Sequence, residues 1–293
     1  MKYFYIFSVV GVIALSLSPF AFISAKQNVS DTDVSVMVAN TTYPAKIRSL
    51  DPATCGDTTS AAMQGNIFES LYAYDLFKRP AAIVPQLAAA MPEISADGLT
   101  YTFKIKEGVK YHRDKCFGVD EKGNPKTRTL TADDFVTAFK RIADSHINTP
   151  MALAFVEDKI VGLQDYRDKT RAYAKGDFSR YDLPFEGVKA IDKNTLQIKL
   201  KEPFPQLPYV LAINVYAPIP REMVDYYLTK KNGEPVDIKN RSAIFGQGSM
   251  VGTGPFYMKE YISGGKVVLE RNPDFRDEYY PKPPDDLSKL SEN

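Results

Sequence analysis

Two histidines are the residues of this chain best suited to acid–base chemistry at neutral pH, because an unperturbed imidazole titrates near pH ~6.5. His112 and His146 are the only histidines, and the chain has no G-x-S-x-G elbow, H-E-x-x-H zinc motif or P-loop lysine around which chemistry is usually built. The adjacent carboxylates Asp133-Asp134 fit a helix start, and Asp285-Asp286 fit a charged tail, better than a glycosidase pair. The sequence therefore predicts no enzyme, no cofactor and no metal site.

Binding through backbone groups is indicated instead by the loop Gly252-Thr253-Gly254-Pro255. Its glycines permit backbone angles and close approaches denied to other residues, and the Thr253 hydroxyl can donate or accept a hydrogen bond. Two alternatives stay open. One is an ordinary glycine-rich surface loop, and the other is a nucleotide loop, although Gly246-Gln-Gly-Ser-Met-Val-Gly252 is one residue longer than G-x-G-x-x-G.

The overall composition is that of an ordinary soluble protein. The chain has 293 residues, 44% hydrophobic and 25% charged, which suffices for one large or two smaller domains. Its 37 basic and 36 acidic residues give a net charge of +1. Because nucleic-acid binding needs a clustered basic excess, the sequence predicts no nucleic-acid partner.

The first 25 residues form an apolar leader. Lys2 is followed by an uncharged run, residues 3–25, that contains Pro19 and ends in small residues. A short basic start, an apolar core and a small-residue end are typical of a cleaved secretory signal, and a retained membrane anchor is the alternative. Since the first cysteine is Cys55, no lipid-modified cysteine follows the run. The sequence predicts a periplasmic protein of a Gram-negative bacterium.

The two cysteines, Cys55 and Cys116, would lie in an oxidising compartment if the chain is secreted. They do not form a C-x-x-C pair or a metal-binding spacing. With no other cysteine in the chain, we expect them to form a disulfide.

Several secondary-structure elements can be predicted around these residues. Alternation predicts a strand over 33–39, and periodicity and capping signals predict a helix over 59–72 that Asp57 or Thr58 caps. Polar turn-forming residues predict a surface loop over 113–129. The remaining predictions are a strand over 100–106, helices from 131, over 150–166 and over 220–229, and hairpins over 187–201 and 256–271.

Four segments resemble one family. They are Asp97–His112 (D-G-L-T-Y-T-F through E-G-V-K-Y-H), Thr131–Phe135 (T-A-D-D-F), Gly252–Phe256 (G-T-G-P-F) and Glu270–Pro273 (E-R-N-P). These motifs and their order are similar to those of the large solute-binding proteins of peptide-type ABC importers. The resemblance implies capture of a peptide or another small solute in a cleft, delivery to membrane permease subunits, and no cofactor.

The same resemblance implies a set of ligand-binding residues. In the family the residues after an L-D-P turn form part of the cleft wall, and Leu50-Asp-Pro52 places Gly56, Asp57 and Thr58 there. A residue of the G-T-G-P loop touches the ligand, which implies that role for Thr253 and Gly254.

We expect an α/β fold with mixed sheets, in which 26–58 and 185–275 build a first lobe, 59–184 form an inserted sub-domain and 276–293 are a disordered tail. The resemblance covers 34–275, about the first half of a family member, so a second lobe is expected to be missing and peptide binding to be weak, with a Kd above about 0.1 mM. A truncated paralogue without transport activity and a secreted hydrolase are the alternatives.

Overall fold

A computed structural model describes residues 47–228, 250–262 and 265–278. The apolar leader, the strand predicted over 33–39 and the glycines from 246 to 248 lie outside these residues. Within them the helices are α1 Thr58–Ile67, α2 Ala132–Ala143, α3 Leu163–Thr170, α4 Leu207–Val210 and α5 Arg221–Leu228. The strands are β1 Tyr72–Tyr74, β2 Ile83–Pro85, β3 Glu93–Ile94, β4 Thr100–Lys104, β5 Asp114–Val119, β6 Pro125–Lys126, β7 Val188–Asp192, β8 Thr195–Lys199, β9 Phe256–Ile262 and β10 Lys266–Arg271. The predicted α/β class is confirmed.

A four-stranded sheet in the order β3-β4-β8-β7 forms the centre of the described structure, and its strand pairs are all antiparallel. Alternate side chains of β4, Tyr101 and Phe103, are buried, as are Leu196 and Ile198 of β8, because successive strand residues point to opposite faces. β4 pairs directly with β8. The predicted boundary between residues 184 and 185 therefore crosses a continuous sheet, and the two predicted sub-domains share it.

Helix α2 packs on this sheet. Thr131 is its N-cap, and the carboxylate of Asp134 accepts a hydrogen bond from the Thr131 N–H at 2.9 Å. Phe135, Phe139 and Ile142 recur at helical spacing and are each no more than 1% exposed. The predicted helix start and buried face are confirmed, since the capping box and the apolar stripe both specify them locally.

The helix predicted from about Pro150 to Tyr166 is wrong in its position. Residues 150–162 form turns, and α3 begins only after Gly162, whose φ is 70°. Ile160 forms a β-bridge with Leu200, and the Val161 N–H donates to the Lys199 carbonyl at 3.0 Å. Because the Val161 N–H is paired with Lys199, the last residue of β8, it cannot also donate within a helix.

The segment 113–129, predicted as a surface loop, forms the hairpin β5–β6. The Arg128 guanidinium lies 5.2 Å from the Tyr111 ring centre and 5.3 Å from that of Phe117. It also donates to both Asp134 and Glu222, with shortest distances of 2.6 Å. The planar Arg128 guanidinium, between two rings and two carboxylates, holds the hairpin against α2 and α5. This long-range contact stabilises regular strand structure in a segment that the sequence predicts as a loop.

The expected disulfide between Cys55 and Cys116 is not formed, because both thiols are free in the structure. Cys55 is buried beside the start of α1, where its Sγ lies 3.7 Å from the Asp57 carbonyl. Cys116 lies in β5, and burial together with the neighbouring Asp114 raises its pKa well above the ordinary range. A thiol with so high a pKa is unreactive.

Arg276, the first residue of the predicted disordered tail, forms ion pairs in the described structure. Arg276 donates to both carboxylate oxygens of Glu69, at 2.9 and 2.5 Å, and at 2.9 Å to Glu278. The rest of the predicted tail lies outside the described residues. In the part of the chain that the structure describes, no helix has the length and apolarity needed to cross a membrane.

Candidate functional site

The loop Gly252-Thr253-Gly254-Pro255 packs against the C-terminal end of α1. The Gly254 N–H donates to the Ile67 carbonyl at 2.9 Å. A Cβ atom added to Gly252 would lie 2.0 Å from the Ile67 carbonyl oxygen, and one added to Gly254 would lie 2.6 Å from it. Neither is among the described glycines with a left-handed φ. The glycines are therefore required by a close backbone approach to α1, and unusual backbone angles are not the reason.

His112 holds the loop from its other side. Its backbone N–H donates to the Gly252 carbonyl at 2.9 Å, and its Nδ1 accepts from the Gly252 N–H at 3.3 Å. Since Nδ1 accepts, the proton is assigned to Nε2, which donates to the Gly254 carbonyl at 3.0 Å. The Asn272 side chain donates to that carbonyl at 3.2 Å. The loop groups that sequence reasoning offered to a ligand are thus used internally, and Gly254 has a structural role in this state.

The environment of His112 keeps its imidazole neutral. The residue is 3% exposed, and burial lowers its pKa to about 4, against an opposite influence from the Gly254 backbone. A neutral histidine with both ring nitrogens in hydrogen bonds is a structural connector and a poor general base. The sequence held no local signal for the partner loop of His112, which lies 140 residues away.

This burial predicts a specific pH dependence of stability. Between pH 6.5 and 4 the unfolded chain binds a proton at His112 that the folded chain excludes, so the free energy of unfolding should fall as pH decreases. From the lowered pKa of about 4, the loss between pH 7 and pH 4 is about 3 kcal/mol. Urea unfolding of the wild type and of His112→Gln across this range measures it. The difference in the free energy of unfolding between the two chains should shrink toward low pH. A difference that stays constant with pH would contradict the assignment of this pH dependence to His112.

Thr253 lies beneath the loop surface, next to the ion pair between the buried Glu69 and the partly exposed Arg276. It is 2% exposed, and its hydroxyl has no hydrogen-bond partner of ordinary geometry among the described residues. Burial raises the pKa of Glu69, whereas Arg276 and, to a smaller extent, the nearby Thr253 hydroxyl act to lower it. The Thr253 hydroxyl is thus a polar group of the loop that could still bond to a ligand.

The other predicted site residues, Gly56, Asp57 and Thr58, lie at the opposite end of α1. Asp57 is the N-cap: its carboxylate accepts from the Ser60 N–H at 2.8 Å and from the Ser60 hydroxyl at 2.7 Å. Gly56 and Thr58 are exposed. A helix of ten residues is about 15 Å long, so the two halves of the predicted site are separated by the length of α1.

Capping by Asp57 leads to a prediction that separates its structural role from a binding role. Asp57→Ala should lower the free energy of unfolding by about 1 kcal/mol, because the first turn of α1 loses its acceptor, whereas Asp57→Asn should retain most of the capping. Thermal unfolding of the two variants measures this. Equal stability of the alanine and asparagine variants would show that the cap contributes little.

The chain around Pro150 lies beside Gly56, at the N-terminal end of α1, and carries exposed apolar side chains. Met151 is 36% exposed and Phe155 is 43% exposed, and a Cβ on Gly56 would lie 3.2 Å from the neighbouring Pro150. Along α1 itself the partly or fully exposed residues are Thr58, Ala61, Ala62, Gly65 and Asn66, and all except Asn66 are small. This surface combines a helix face of mostly small residues with two accessible apolar side chains. Because small and apolar residues occur on many protein surfaces, the sequence alone did not single this face out.

An open depression of about 400 Å³ lies elsewhere, at the end of the central sheet, and contains none of the predicted site residues. Lys104, Glu107 and Thr195 are among the residues that line it. Among the described residues there is no group of three or more His, Cys, Asp or Glu side chains placed to hold a metal ion.

The class of protein follows from comparison with known families. Residues 82–289 match the family described as "Bacterial extracellular solute-binding proteins, family 5 Middle". The match covers more than half of the chain, and the chain belongs to this family. The resemblance found in its sequence motifs is therefore confirmed.

Several individual relatives have names that refer to peptide binding. Oligopeptide-binding protein AmiA of Streptococcus pneumoniae is 28% identical over 280 residues, 94% of this chain and 37% of its own length. Periplasmic oligopeptide-binding protein OppA of Escherichia coli is 25% identical over 231 residues, 79% of this chain and 35% of its own. The solved structure of the pheromone receptor PrgZ, described with its mode of peptide binding, is 26% identical with a TM-score of 0.57 and covers 78% of this chain and 38% of PrgZ. The chain thus spans just over a third of the length of these relatives.

Proposed function

We propose that this chain acts as the solute-binding component of an ABC importer and captures oligopeptides without chemical conversion. The observation that carries the proposal is the family match over residues 82–289, together with relatives named as oligopeptide-binding proteins. Membrane permease subunits of the importer would be the protein partners. The apolar leader, residues 1–25, would serve as a cleaved signal that delivers the chain to the periplasm of a Gram-negative bacterium.

We place the peptide along the exposed face of α1, between Thr58 and the Gly252–Pro255 loop. The helix is about 15 Å long, and an extended chain rises about 3.3 Å per residue. A peptide of about five residues would therefore reach from Gly56 and Thr58 to Thr253. Met151 and Phe155 would contact apolar side chains near one end, and the Thr253 hydroxyl would provide a hydrogen bond at the other.

In this arrangement Asp57 and Gly254 act by positioning. Asp57 fixes the first turn of α1 through Ser60, and Gly254 lets the loop approach Ile67. Thr253 is 2% exposed, so contact with its hydroxyl requires a small opening of the loop surface when the peptide binds.

Thermal unfolding in the presence of peptide pools of defined length tests the proposal. Binding to the folded chain alone stabilises it by mass action, by about 2.7 kcal/mol at a ligand concentration 100 times the Kd. We expect saturable stabilisation by pentapeptides and less by dipeptides, since only the longer peptides span α1. Isothermal calorimetry with a stabilising peptide then gives the Kd. Failure of every pool to stabilise the chain would reject the proposal.

The variant Thr253→Val separates binding from folding. Replacing a buried hydroxyl that lacks an ordinary hydrogen bond by a methyl group should leave stability unchanged or raise it slightly. Loss of one hydrogen bond to the ligand should weaken peptide binding by about tenfold. Thr102→Val, on the partly exposed face of the central sheet, is the matched control and should bind peptide normally. Unchanged affinity in Thr253→Val would exclude the hydroxyl from the site.

A further inference from the structure

The hairpin β1–β2 carries an exposed group of apolar and basic side chains that the proposed peptide site does not use. Tyr74 and Leu76 are each 47% exposed, and Tyr209 beside them is 41% exposed. The Tyr74 hydroxyl donates to the Tyr209 carbonyl at 3.4 Å, and the two ring centres are 6.4 Å apart. Lys78 and Arg79 follow at the turn, and both are exposed. We call these five residues the hairpin tip.

The charges of the hairpin tip favour an anionic partner. Neither Lys78 nor Arg79 forms an ion pair with another described residue. The nearest carboxylate in the sequence, Asp75, accepts hydrogen bonds from the backbone N–H groups of Phe77 at 2.9 Å and Lys78 at 3.1 Å. Asp75 therefore stabilises the turn. With two cations and one carboxylate, this part of the hairpin has a net positive charge.

The side chains of the hairpin tip are of the types that bind to anionic bilayer surfaces. Tyrosine combines an apolar ring with a polar end and is enriched at membrane–water interfaces. An exposed leucine can enter the boundary between headgroups and acyl chains, while lysine and arginine remain among the anionic headgroups. A surface for a soluble acidic protein would not need an exposed leucine between a tyrosine and two cations.

We propose that the hairpin tip is a docking surface for anionic phospholipid. Leu76 and Tyr74 lie at the interface, and Lys78 and Arg79 contact the headgroups. The contact holds the chain at the membrane face, independently of any peptide. It rests on a surface separate from α1 and the Gly252–Pro255 loop, so peptide binding and membrane docking can fail independently.

Sedimentation of the chain with phosphatidylcholine vesicles, with and without phosphatidylglycerol, tests this proposal. We expect binding only to the vesicles that contain phosphatidylglycerol, and less binding as salt is added. The double variant Lys78→Gln/Arg79→Gln should lower the partition coefficient by about twenty-five-fold, since each cation near an anionic surface strengthens binding by about fivefold. Leu76→Ser should also lower it.

A matched double variant, Lys199→Gln/Lys201→Gln, removes the same charge from two exposed lysines of the central sheet region and should sediment like the wild type. Equal loss in both double variants would show diffuse charge attraction and overturn the proposal. Three other results would also overturn it. The first is vesicle binding that does not depend on phosphatidylglycerol, and the second is that the tip variants bind vesicles as well as the wild type because the apolar leader drives binding. The third result is binding of the chain to soluble polyglutamate but not to vesicles. Peptide stabilisation, measured in parallel, should be the same in all variants.

Discussion

Gly252→Ala is expected to destabilise the folded chain strongly. Its methyl group would lie 2.0 Å from the Ile67 carbonyl oxygen and 2.8 Å from the Ile67 carbonyl carbon. Both atoms belong to the backbone at the end of α1, so no flexible side chain can move aside. The loop would have to withdraw, breaking the hydrogen bonds between Gly252 and His112. We expect the free energy of unfolding to fall by about 3 kcal/mol or more.

Urea unfolding measures this loss, and Gly65→Ala is the matched control. Gly65 lies on the exposed face of α1, and its added Cβ would meet only the flexible Asn214 side chain, at 3.2 Å. Because alanine is favoured over glycine inside a helix by about 1 kcal/mol, this control should be neutral or stabilising. Similar stability of the two variants would show that the loop does not depend on its close approach to α1.

Asp144→Asn should cause the second large loss. Asp144 is the C-cap of α2, and both its side chain and that of Arg180 are fully buried. Its carboxylate accepts from the Arg180 Nε at 2.7 Å and from the Tyr181 hydroxyl at 2.8 Å. Asparagine retains an acceptor but leaves the Arg180 charge uncompensated inside the protein. Breaking one side of a buried ion pair costs about 3–5 kcal/mol.

Two further variants show whether the charge is the cause. Adding Arg180→Met to Asp144→Asn removes the unpaired cation and should recover part of the lost stability. Asp165→Asn breaks the exposed pair with Lys169, whose side chains are 66% and 54% exposed, and should change stability little because solvent screens such pairs. Chemical denaturation of the three variants decides the matter. A double variant as unstable as Asp144→Asn would assign the loss to hydrogen bonds alone.

Local patterns were sufficient for the elements that form between neighbouring residues. The hairpins at 187–201 and 256–271 follow from alternating side chains on either side of a turn, and the structure confirms them as β7–β8 and β9–β10. The start of α2 follows from Thr131 and the acids after it, and Asp57 is the cap of α1, one of two residues predicted for that position. Family membership was also within reach, because short motifs such as Gly252–Phe256 recur in the expected order.

The sequence by itself determined hairpins, helix starts and the family, because their signals lie within a few residues of one another. The tertiary structure decided which residues meet. His112 closes on a loop 140 residues away, and Glu69 pairs with Arg276 across 207 residues. It also decided that residues 113–129 are a hairpin fastened by Arg128, that residues 150–162 are turns that meet the sheet, and that both cysteines are free. These outcomes depend on contacts between segments that are distant in the sequence. Such contacts form only when the chain folds, so they leave no local pattern in the sequence.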